Sequence, residues 1–160
     1  MARIILVAYV PLLLLVALSP VIAQTTKPTL VGSWEFTATP ETTSDASRPA
    51  IEGLATFTSD GTAIETDTTG ILGRVSPGHG IWQNGPIPGG YLFVRFTSLE
   101  PNLNGTLHSK QILTMFLTLN STGDEFSGPY DFQVVSAGGD IISNGKGTVA
   151  GKLMVHPLLP

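Results

Sequence analysis

GLATFTSDGTAIET, residues 53–66, sets two short runs of apolar and hydroxyl side chains on either side of Asp60-Gly61. That dipeptide suits a tight hairpin, because glycine accepts the positive φ such turns require. Gly53 to Ser59 and Thr62 to Thr66 are therefore expected to pair as neighbouring antiparallel strands. The same pattern recurs on both sides of this hairpin. Val31 to Thr39 alternates, with Gly32, Trp34, Phe36 and Ala38 on one face and Ser33, Glu35 and Thr37 on the other. Thr42 to Pro49 reads as a polar loop, Asp67 to Pro77 as a longer one, and Gly78 to Asn84 as a strand ending in the Gly- and Pro-rich turn Asn84 to Gly90. Tyr91 to Ser98, Thr106 to Asn120 and Asp124 to Val135 follow as strands. Ile141 to Val155 is the last, with a break expected near Asn144-Gly145. No helical period competes with this reading. Eight sequential strands joined mostly by short turns predict an all-β fold, an antiparallel eight-stranded up-and-down barrel that leaves no sheet edge unpaired. A two-sheet sandwich is the rival, and it usually needs Greek-key crossovers.

Composition narrows the setting. The chain opens MARIILVAYVPLLLLVALSPVIAQ, a basic residue, then an apolar run, then small residues. This is the order of a secretory signal peptide, with cleavage expected after Ala23, so residues 1–23 form the leader and 24–160 one domain. An uncleaved membrane anchor is the alternative, but two prolines interrupt the apolar run, and no stable membrane insertion is expected after cleavage. The protein is accordingly expected to be secreted or periplasmic. There is no cysteine, so stability must come from packing without disulfides. The formal charge is −4 and Lys and Arg form no cluster, which argues against a nucleic-acid partner. Charged residues make up only 12% of the chain, about half the usual share. Surface polarity is left to hydroxyls and amides, including nineteen threonines, whose branched side chains favour strands. A barrel this poor in charge can pair with a second copy through an outer apolar patch, as a homodimer.

Gly32-Ser33-Trp34 at the start of the first strand, followed by an eight-strand meander, resembles the lipocalin-like (calycin) barrels. The likeness covers the mature chain by strand count and this tripeptide by motif. It implies that Trp34 packs across a closed end of the barrel against a basic residue of the last strand, for which Lys152 is the candidate, with Gly32 structural beside it. It also implies binding of a small apolar molecule. The second lipocalin motif is missing, because Thr122 to Phe126 does not fit it, and no helix is expected after the last strand.

Candidate site residues divide by chemistry. His79 stands between Gly78 and Gly80 in SPGHGIW, residues 76–82. Two glycines clear space beside it, which fits either a polar group at a barrel mouth or a simple bend before Trp82. On Tyr91 to Ser98, Tyr91, Phe93 and Arg95 share one face and Leu92, Val94 and Phe96 the other, and alternation cannot say which points inward. Leu113, Met115, Leu117 and Leu119, with Phe126, Tyr130, Phe132 and Val134, form an apolar wall of either a core or a pocket. His79, His108 and His156 show no metal-ligand spacing, so neither metal nor cofactor is expected. Glu65 and Asp67 share one strand face and can pair carboxyls for acid and base work, although such residues more often form a solvated face.

The expected function is to hold a small apolar or amphipathic molecule. Trp82, Phe93, Met115 and Phe132 would bury it beside Trp34 and Phe36, and His79, Tyr91 and Arg95 would orient it. Two alternatives carry different expectations. One is a small barrel enzyme of the cyclase or isomerase type, similar to allene oxide cyclase and dirigent proteins, which steers its substrate by cavity shape. The other is a structural module with a filled interior. No catalytic motif points to particular catalytic residues.

Overall fold

A computed structural model describes residues 29–41, 49–71, 75–86 and 90–154. The proposed leader, most of the loop from Thr42 to Pro49, and His156 lie outside the described residues. The elements are β1 Gly32–Pro40, β2 Ile51–Phe57, β3 Thr62–Asp67, α1 Thr68–Ile71, β4 Gly78–Asn84, β5 Leu92–Pro101, β6 Leu107–Leu119, β7 Glu125–Ser136 and β8 Ile141–Leu153. Each strand pairs antiparallel with the next, and β8 returns to β1 in the register Trp34↔Leu153 to Pro40↔Gly147. The result is a closed up-and-down barrel in simple sequential order, so the sandwich alternative does not apply.

The hairpin at Asp60-Gly61 forms as expected. Gly61 has φ +89°, and Thr58 N donates to Thr62 O at 3.0 Å. Asp60 Oδ1 accepts from the Thr62 amide at 3.0 Å and from the Thr58 hydroxyl, so the turn's donors are satisfied from within. The loop after β3 carries the short α1, whose first turn is capped by Asp67 Oδ1, accepting from Thr69 N at 2.8 Å and Gly70 N at 2.9 Å.

Alternation along each strand selects the interior. β1 turns Trp34, Phe36 and Ala38 inward, and β6 and β7 contribute Met115, Leu117, Phe126 and Tyr130. On β5 the ambiguity resolves toward Leu92, Val94 and Phe96, which are buried, while Arg95 is exposed.

An eight-stranded barrel encloses little space, and this one fits five of its rings by laying each over a glycine of the neighbouring strand. Phe36 lies opposite Gly53, Phe96 opposite Gly80, and Phe126, Tyr130 and Phe132 opposite Gly151, Gly147 and Gly145. In each pair a Cβ on the glycine would meet the partner ring. This corrects the expected break near Asn144-Gly145. β8 runs on unbroken there, because Gly145 is an inward position under Phe132 and not a turn. One further pair has the same geometry but different chemistry: Glu65 of β3 lies opposite Gly78 of β4, and a Cβ on Gly78 would fall on the Glu65 carboxyl.

Candidate functional site

The two ends of the barrel are built differently. At the end where the chain enters β1, Trp34 is fully buried, its Nε1 donates to Leu30 O at 2.8 Å, and its ring packs on Phe126 with centroids 5.1 Å apart. Phe57 stacks edge-on against Trp82 at 6.4 Å, and Trp82 Nε1 donates to Thr58 O at 2.8 Å. Both indole donors are paired, and rings and aliphatic side chains fill this end. Trp34 thus closes one end. Lys152 is not its partner, however: it faces outward, in register with Glu35 on one side and Glu125 on the other. Gly32, at φ +140°, adopts a backbone conformation open chiefly to glycine, and a Cβ there would collide with Leu153.

The opposite end holds a cavity of about 280 Å³. Its wall on β1, β2 and β7 is apolar, including Phe36, Ala38, Ile51, Tyr130 and Phe132, and its wall on β3, β5 and β6 includes Glu65, Asp67, Ser98 and Gln111. Glu65 is the unusual member. It is only 6% exposed, its Oε1 accepts from Ser98 Oγ at 3.2 Å, and its Oε2 is buried with no hydrogen-bond partner among the described residues. Burial pushes the carboxyl up to about 7 and the Asp67 charge adds to this, while hydrogen bonds from Ser98 and the Gly78 backbone oppose it. Farther toward the rim on β5, Glu100 Oε2 accepts from the buried Ser109 hydroxyl at 2.6 Å. The described residues contain no cluster of three or more His, Cys, Asp or Glu able to hold a metal ion.

The candidate residues from sequence scatter across this architecture. Phe132 lines the cavity, whereas Met115 and Trp82 point inward within the packed part. Four others point away from the interior. His79 pairs with Thr97 on the outer face of β4, and Arg95 is exposed on the outer face of β5. Tyr91 and Phe93 pack outside the barrel against Phe116, at centroid distances of 5.2 and 5.8 Å. None of the four lines the interior cavity. The glycines flanking His79 make room not for the imidazole but for Glu65 and Phe96 on the other side of the sheet. Period-two alternation from Trp82 through Gly80 to Gly78 was the available signal, since it assigns His79 to the opposite face.

The chain matches no protein-family model, no curated protein and no solved structure. Among the described residues no helix is long and apolar enough to cross a membrane.

Proposed function

We propose that the protein holds a small, largely apolar molecule inside the barrel, at the end opposite Trp34. The observation that carries this reading is the contrast within one interior: rings fill one end, while the other keeps a cavity of about 280 Å³. A protein built only for stability gains by closing such a space, because unfilled volume forfeits packing. The lipocalin-like reading agrees with the strand order and with the place of Trp34. Work outside the cytoplasm fits the order of basic, apolar and small residues at 1–23.

A second reading has one observation in its favour: a carboxyl titrating about 7 inside a cavity can donate or accept a proton at neutral pH. On that reading the bound molecule is a substrate and is recovered altered. Native mass spectrometry of the gently purified protein is expected to show a retained small molecule, and an apolar fluorescent probe is expected to bind and displace it. Ala38→Phe, which fills the cavity from β1, should abolish probe binding. Leu54→Phe on the outer face should leave it unchanged. Absence of binding by the unaltered protein, or equal binding by a folded Ala38→Phe variant, would overturn the reading.

A further inference from the structure

The cavity is two-sided, and its sides differ in chemistry. Phe36, Tyr130 and Phe132 present rings from β1 and β7, while Glu65 and Asp67 present carboxyls from β3. No Lys, Arg or His lines it among the described residues. A buried acceptor without a donor is costly, and among the described residues Glu65 Oε2 is such an acceptor. Nothing in the fold demands it: at the five related glycine pairs an aromatic ring takes the same inward position. A carboxyl where a ring would serve the packing calls for a partner that arrives from outside. We propose that the cavity selects a small protonated amine with an apolar body, whose ammonium donates to Glu65 Oε2 while the body lies against the rings of β1 and β7.

Charge and geometry both favour this class. An ammonium supplies the missing donor and offsets the neighbouring negative charges, and a cation close to aromatic faces gains further attraction. A carboxylate ligand would instead meet two acids and no described base. A neutral alcohol supplies the donor but not the charge. The titratable groups facing Glu65 in the cavity are Asp67 and Tyr130, with Glu100 farther along β5; Glu52 and His79 on the flanking strands face outward. Because only the ionised carboxyl pairs with an ammonium, amine affinity should rise as pH is raised through neutrality.

This proposal rests on the binding reading, and the test separates the two. Isothermal titration with benzylamine, benzyl alcohol and benzoate compares one ring with three head groups. At about pH 8, benzylamine is expected to bind about tenfold more tightly than benzyl alcohol, and benzoate more weakly than either. Glu65→Gln should erase the amine's advantage while leaving benzyl alcohol bound. Equal affinity for amine and alcohol, or an amine preference that survives Glu65→Gln, would overturn the proposal and leave the binding reading standing. A preference for benzoate would equally overturn it. Failure of all three compounds to bind would remove the binding reading and this proposal together.

Discussion

The end of the barrel closed by Trp34 and the end opened by Glu65 are made from the same eight strands, yet they treat polar atoms in opposite ways. Around Trp34 both indole N–H groups, the buried one of Trp34 and the half-buried one of Trp82, have a carbonyl partner, and each ring has a neighbour. Around Glu65 a buried oxygen has no partner among the described residues, and a cavity lies in front of it. The first arrangement lowers the free energy of the fold. The second raises it, which is the pattern expected where a site is kept at the expense of stability.

Truncation is the strongest way to break that contrast. Trp34→Ala removes a fully buried ring from a filled region and is expected to cost about 3–5 kcal/mol, read from the urea midpoint. Phe132→Ala removes a half-buried ring that already borders open space, and should cost roughly 1–2 kcal/mol. Equal costs would mean that the cavity end is as tightly packed as the closed end, and the contrast would fail.

The pH dependence of stability sharpens it next. In the folded protein the Glu65 carboxyl titrates about 7, against an ordinary value of 4.5, so between these values the folded state holds a proton that the unfolded state has released. Its contribution is therefore fully present below the ordinary value and is lost as pH rises through 7, to a total of about 3 kcal/mol. Glu65→Gln removes this term. The difference in unfolding free energy between variant and parent is expected to grow in the variant's favour from acidic to mildly alkaline pH. A difference that stays flat would show that the carboxyl is better solvated than its burial implies.

How much of this was legible in the sequence depends on which contacts decide each feature. The barrel was readable, because turn residues such as Asp60-Gly61 and period-two runs such as Val31 to Thr39 are local signals. Trp34 as a closing residue was readable from its motif and its face. Glu65 was visible as a member of a carboxyl pair, but its burial was not. In β3 both Ala63 and Ile64 are apolar, and alternation favours turning the larger one inward, which would send Glu65 out to water. The barrel does the reverse. Ala63 faces in beside Phe57, leaving Ile64 45% exposed, because the interior there is already occupied by rings from β2, β4 and β5. Which strand supplies the bulk at a given level is a property of the closed circle of strands, and no single strand records it. The same holds for Gly78, whose purpose becomes visible only when β3 is laid beside it.

The smallest expected effect concerns the residue that the sequence made most conspicuous. His79 faces solvent on β4, so His79→Ala should change stability by less than about 0.5 kcal/mol and leave probe binding untouched. Its neighbour behaves otherwise. A Cβ at Gly80 would fall on the Arg95 carbonyl of β5, which is backbone and cannot swing aside, so Gly80→Ala should cost about 1–3 kcal/mol. A Cβ at Gly78 instead meets the Glu65 side chain, which can rotate away. Gly78→Ala is therefore expected to cost less than Gly80→Ala but to weaken binding, because it displaces the carboxyl that lines the cavity. Measuring the three variants side by side assigns the motif to the interior if the glycine changes matter and the histidine change does not. The reverse order would return His79 to the site and place the functional surface on the outside of the barrel.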